Sequence, residues 1–150
     1  MPETKLQLSG RYIATVYGPD GQIKDHVAGP NVVCTNGKEF LASFLSSAAA
    51  GASTFTQRYV AVGTGTGAEA ASDTALGTEV ARQTGTASYV SNQIYQVTAT
   101  FATNSAVGAI TEYGMFGSNT AGTMLSRDVE AAVNVGASDT LTVVYQLTLS

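Results

Sequence analysis

The loop Gly63-Thr64-Gly65-Thr66-Gly67-Ala68 follows a short apolar run and matches the G-x-G-x-x-A form of a dinucleotide fingerprint, with Glu79 some way downstream. Such glycines let backbone amides approach a pyrophosphate closely at the opening of a helix within a βαβ unit. The flanking sequence offers no such unit, so the loop reads as a Gly/Thr connection crossing one end of a β-structure. Gly-Lys-Ser and Gly-Lys-Thr, the ends of a phosphate-cradling loop, are absent. No nucleotide or other cofactor is expected.

Nucleophilic and metal chemistry fare no better. His26 is the only histidine and Cys34 the only cysteine, and no G-x-S-x-G elbow accompanies them, so neither a triad nor a zinc centre can be assembled. His26 reads as a surface or edge residue. Cys34, beside Val32 and Val33, reads as a small core hydrophobe, and a single cysteine cannot form an internal disulfide. Asp20, Asp73, Asp128 and Asp139 are scattered through turns and strand ends without the spacing of a calcium loop, although Glu112 and Glu130 could converge with one of them. No metal is expected, and the chain is read as not an enzyme.

Arg82 and Arg127 are two of only four arginines. In extended segments they can pair with Glu79, Glu112, Asp128 or Glu130 inside the chain, or reach across an interface between subunits with a bidentate fork. Arg82, Glu112, Arg127 and Glu130 are therefore the candidate interface residues, with both arrangements open. Tyr89, Tyr95, Tyr113 and Phe116 could form a sugar platform, but aromatics on strands more often fill a core or an interface. A carbohydrate-binding module is kept as an alternative.

The elements that must position these residues are mostly strands. Residues 11–17 and about 22–28 form a hairpin around Gly18-Pro19-Asp20-Gly21, with Gly29-Pro30 closing it. A helix is expected over about 37–50, capped by Asn36 with Glu39 as reciprocal partner, its stripe being Phe40, Leu41, Phe44, Leu45 and Ala48 and its terminator Gly51. Tyr59 to Val62 is a short strand, 73–76 one turn of helix, and 78–86 an edge segment. Ser88 to Thr103 alternates as one long strand. Ala109 to Phe116, Thr123 to Val129 and Thr140 to Leu149 follow, the last with Leu141, Val143, Tyr145, Leu147 and Leu149 on one face. About seven strands and one short helix predict an all-β fold, a β-sandwich or jelly-roll-like barrel. The 150 residues form one domain, with an N-terminal hairpin and helix at about 11–50 and the main β region at about 58–150.

Composition narrows the partners. Ala, Gly, Ser and Thr supply 71 residues, whereas Lys, Arg, Asp and Glu supply 18, about half the usual share. With a formal charge of −4, the chain lacks the basic footprint that nucleic-acid phosphates require. The first ten residues have neither a basic start nor a continuous apolar stretch, and no apolar run is long enough to span a bilayer as a helix. Neither a secretory precursor nor a membrane protein is expected.

Four segments carry a family resemblance: Asp73 to Arg82 (DTALGTEVAR), Ala109 to Phe116 (AITEYGMF), Thr123 to Val129 (TMLSRDV) and Asn134 to Val143 (NVGASDTLTV). Over about residues 59–150 the chain resembles small virion or tail-associated structural proteins of tailed bacteriophages. It departs from them at Glu130-Ala131-Ala132, where such proteins tend to carry an aromatic residue and a proline. The resemblance implies a non-enzymatic virion protein assembled in the bacterial host cytoplasm. A capsid decoration or cement protein on the capsid surface fits best, trimeric and bound to the major capsid protein and to copies of itself. The alternative it leaves open is a tail, baseplate or fibre component.

Overall fold

The computed structural model describes residues 5–46, 57–91 and 93–150. Among them are nine strands and one helix: β1 (Leu8–Tyr17), β2 (Ile23–Val33), α1 (Thr35–Ser46), β3 (Tyr59–Gly63), β4 (Glu79–Thr84), β5 (Thr86–Ser91), β6 (Ile94–Phe101), β7 (Gly108–Phe116), β8 (Met124–Val135) and β9 (Thr140–Leu149). Their order across the sheet is β4-β3-β7-β8-β2-β1-β9-β6-β5, and every neighbouring pair is antiparallel. The two end strands, β4 and β5, are consecutive in sequence and meet at Gly85, so the sheet curls into a near-closed barrel. The fold is all-β with one short helix.

Alternation decides which side chains go inside. Tyr12, Ala14 and Val16 of β1, Val97, Ala99 and Phe101 of β6, and Leu141, Val143, Tyr145 and Leu147 of β9 fill the interior against Val60, Val62, Ile110, Tyr113, Met115, Leu125, Val133 and Val135. A second, smaller cluster of Cys34, Ala61, Leu76, Phe116 and Met124 lies on the other side of the β3-β7-β8 layer. Two buried faces on one layer explain why β7 is buried almost end to end.

Several expectations are corrected. The segment 88–103 is a hairpin: β5 and β6 pair antiparallel, with Ser91 opposite Ile94 and Gln93 in a left-handed conformation at φ 76°. The first hairpin turns where expected, with Gly21 at φ 78°. It does not end at Gly29-Pro30, because Pro30 pairs with Arg11 inside β2. β2 pairs with β8 only at Val32 and Val33, so the proline interrupts no ladder on that side.

The helix begins at Thr35, which places Asn36 inside it. The Cys34 and Thr35 amides are already bonded to the Leu125 and Ala71 carbonyls, and the Cys34 carbonyl receives the Lys38 amide. Tertiary partners thus replace the expected side-chain cap. The continuation of the helix over 47–50, its terminator Gly51, and the side chains of Leu45 and Ala48 lie outside what the structure describes. Residues 73–76 form no helical turn, and β8 runs on to Val135.

Candidate functional site

β7 and β8 bring together the residues with most chemical potential. On the outer face of this layer the Glu112 carboxylate, fully buried, receives five donors. Oε1 accepts the amides of Gly65 at 3.0 Å and Thr78 at 2.7 Å. Oε2 accepts the Gly77 amide at 2.8 Å and Nε and Nη2 of Arg127 at 3.2 and 2.9 Å. Arg127 completes its fork with Asp73 at 2.8 Å and the carbonyls of Gly67 and Ala68.

The 64–78 loop is thereby laid on the barrel wall, with Leu76 packed in the outer cluster. A Cβ on Gly65 would come within 2.5 Å of Glu112 Oε1, and one on Gly63 within 2.2 Å of the Thr78 carbonyl oxygen. The glycines therefore serve the close backbone approach that a dinucleotide fingerprint exploits, but the anion they accommodate is the chain's own carboxylate. The preceding strand sits in an antiparallel sheet, with no βαβ unit around it.

Burial favours the protonated form of Glu112, yet the amides of Thr78, Gly77 and Gly65 and the Arg127 guanidinium outweigh it and hold the carboxyl below the usual range. Asp73 follows the same logic: burial raises it, and the Ala70 amide with Arg127 brings it below its ordinary value. Arg127 is held above its ordinary value because Asp73 and Glu112 outweigh its own desolvation.

The inner face of the same two strands is different. Ser126 and Asp128 alternate with Arg127 and point into the barrel. The Ser126 hydroxyl lies 2.9 Å from the Tyr12 hydroxyl, and Tyr12 packs on Tyr145 and Tyr113 with ring centroids 4.9 and 5.8 Å away. Asp128 is opposite Tyr113 in the ladder, and both are completely buried. Neither carboxylate oxygen of Asp128 nor the Tyr113 hydroxyl has a hydrogen-bond partner among the described residues. Burial, then the neighbouring charges of Glu130 and Glu69, push the Asp128 carboxyl up to about 7. Burial and the charges of Asp128, Glu130 and Asp25 likewise raise the Tyr113 phenol well above its usual range.

The four candidate interface residues fall into three places. Glu112 and Arg127 form the buried pair. Arg82 forks onto Glu79 at 2.9 and 2.7 Å, donates to the Ser118 and Ala121 carbonyls, and lies 3.7 Å above the Phe116 ring. Glu130, half-buried, lies over the bare Cα of Gly29, where a Cβ would fall within 1.5 Å of its Oε1.

His26 is exposed on β2, with Nδ1 3.1 Å from the Thr15 hydroxyl. Cys34 is buried among apolar side chains and pushed up to about 11, first by burial and then by the Asp73 charge, which leaves it a thiol. The four aromatics are not gathered on one surface. Tyr113 is inside, Phe116 is under Arg82, Tyr89 is 77% exposed on β5, and the Tyr95 hydroxyl donates to the Gln57 carbonyl. Among the described residues no three His, Cys, Asp or Glu side chains are grouped to hold a metal ion.

Sequence reasoning singled out Glu112, Arg127 and Glu130 but missed the roles of Gly29, Tyr12 and Ser126, because spacing along one strand does not reveal what faces it across the barrel. Compared with protein-family models, curated proteins and solved structures, the chain matches none.

Proposed function

We propose that the protein is a non-catalytic structural component of a tailed-phage particle, a decoration or cement protein that binds the major capsid protein and copies of itself, as a trimer, on the capsid surface. Its barrel is read as the flattened, jelly-roll-like kind. The observation that supports an assembly role is the outer face of the β2-β1-β9-β6-β5 layer. One row across it is His26, Thr15, Thr142 and Thr100; the next is Ala28, Ile13, Val144, Thr98 and Thr86; a third is Pro30, Arg11, Gln146, Gln96 and Ser88.

These rows contain no acidic side chain, and several of their polar groups are already paired, Gln146 with Gln96 at 2.8 Å and Thr15 with His26. A broad face with so little charge loses little hydration when another protein surface covers it. The phage address rests on the resemblance of residues 59–150.

Quantitative mass spectrometry of separated heads and tails tests the reading. The expected result is the chain at fixed stoichiometry on heads, with heads lacking it less resistant to heat but normally shaped. Enrichment in tails alone replaces the cement role with a baseplate or fibre role, and absence from both ends the virion reading.

A further inference from the structure

We propose that the barrel interior binds a cluster of ordered water molecules, seated between Asp128, Asn31, Tyr113 and Tyr145, that completes the hydrogen bonding of these four side chains. Both carboxylate oxygens of Asp128, both amide atoms of Asn31 and the hydroxyls of Tyr113 and Tyr145 are buried, and none of these six atoms has a hydrogen-bond partner among the described residues. Native interiors rarely leave such groups unsatisfied.

Strand register brings them together. β2 and β8 are paired at Val33 with Ser126 and at Val32 with Arg127, and the next step along the same register sets Asn31 opposite Asp128. Continued further, that register sets Gly29 opposite Glu130, whose Oε1 lies within 1.5 Å of where a Gly29 Cβ would fall. On its other side Asp128 is opposite Tyr113, while Asn31 is opposite Gly10. Tyr145 is opposite Tyr12, and Tyr12 packs on both Tyr145 and Tyr113 and reaches the Ser126 hydroxyl. Asn31 and Ser126 both lie close enough to Tyr145 to oppose the effect of burial on its phenol.

Glycine makes room at this level. A Cβ on Gly10 would come within 1.9 Å of Asn31 Oδ1, so the amide lies over bare backbone. Donors and acceptors thus stand side by side on one inner face, yet Asp128 bonds neither the Asn31 amide nor the Tyr113 hydroxyl. Exchanging the oxygen and nitrogen of the Asn31 amide gains nothing, because both are unpartnered. A third body between these groups resolves the mismatch.

That body must both donate and accept. The two phenols and Asn31 Nδ2 need an acceptor, which a metal cation is not, whereas Asp128 and Asn31 Oδ1 need donors. Among the described residues no three His, Cys, Asp or Glu side chains are grouped to hold a metal ion. Water does both. A buried water makes about three hydrogen bonds, so about two waters are the least that can serve the six atoms. Water supplies hydrogen bonds but no counter-charge, so the Asp128 carboxyl stays raised towards neutrality.

Two measurements on the unmodified protein test the cluster: a crystal structure at a resolution that places waters, and water-to-protein NOE spectra in solution. The expected result is about two or more waters within hydrogen-bond distance, about 2.7–3.2 Å, of Asp128, Asn31, Tyr113 and Tyr145. The ring protons of Tyr113 and Tyr145 should show NOEs of the sign that a long-lived internal water gives. Direct bonding of Asp128 to Asn31 or Tyr113 with no water between them overturns the proposal, and so does a cation ligated there at about 2.3–2.6 Å. Missing water NOEs at both rings overturn it as well. In Tyr113→Phe, which removes one hydroxyl and keeps the ring, the number of long-lived waters counted by oxygen-17 relaxation dispersion should fall by about one. An unchanged count overturns the place given to Tyr113. The first two measurements stand even if the variant does not fold.

Discussion

Arg127 and Asp128 are neighbours in sequence and point to opposite faces of β8, and the two faces handle buried charge in opposite ways. Outside, Glu112 and Arg127 are enclosed by backbone donors and acceptors of the 64–78 loop, so each lone pair and proton has a partner. Inside, Asp128 meets another carboxyl and two phenols. The first arrangement is stable at neutral pH because both charges are compensated; the second is stable only while a proton remains. A satisfied buried pair acts as a fixed staple, and an unsatisfied one responds to the solution.

The sharpest way to break the comparison is Glu112→Ala. It leaves the Arg127 charge buried with only Asp73 and two carbonyls, and three loop amides without their acceptor. Removing one partner of a buried pair costs about 3–5 kcal/mol. Denaturant unfolding monitored by tyrosine fluorescence should show a loss of that size, with exchange protection in the 64–78 loop falling first. The variant should also lose part of the acid sensitivity. Glu112 has a folded value below its unfolded one, so its contribution is present above about pH 4 and lost as the pH falls through the folded value. Asp128 acts in the opposite direction, its contribution being complete below about pH 4 and lost as the pH rises through about 7.

Particular residues show how much of this was legible in the sequence. β9 was readable to its ends because Leu141, Val143, Tyr145 and Leu147 alternate without interruption and one side of the strand is buried. The β5–β6 hairpin was not, because alternation continues through the reversal and no Gly or Pro marks it; Gln93 adopts the left-handed conformation instead. The Glu112–Arg127 pair was visible as one of several possible pairings, while its enclosure by Gly65, Gly77 and Thr78 depends on a loop folding back 34–47 residues from Glu112. Asp128 appeared only as one scattered acid. Its inward direction follows from the register of β8 against β7, which no spacing along one strand can supply.

A second outer-face clamp should yield a smaller effect. Arg82 holds the 117–122 turn through two carbonyls and covers Phe116, but its partner Glu79 is partly exposed, with about a third of its side chain accessible. Solvent screening reduces the ionic part, leaving the carbonyl bonds and the ring contact as the main loss. Arg82→Ala should cost about 1–2 kcal/mol in thermal or denaturant unfolding, and Arg82→Lys should recover only part of it, because an ammonium cannot reproduce the planar fork. An Arg82→Ala loss as large as that of Glu112→Ala would mean that exposure does not separate the two clamps.

The smallest stability change should come from the inner face, at Gly29→Ala. The added methyl would overlap the Glu130 carboxyl, but the overlapped atom is the end of a flexible side chain rather than backbone, so Glu130 can swing away. β-Propensity favours alanine slightly over glycine. The net change in unfolding free energy should therefore be within about 1 kcal/mol of zero. The informative readout is the Asp128 titration. With Glu130 displaced, one of the charges that raise Asp128 is farther away, and its midpoint should move down from about 7 while burial keeps it above the usual carboxyl range. An unchanged midpoint would assign the whole shift to burial and the other neighbouring charges, whereas a midpoint near 4 would mean that the methyl has let bulk water reach Asp128.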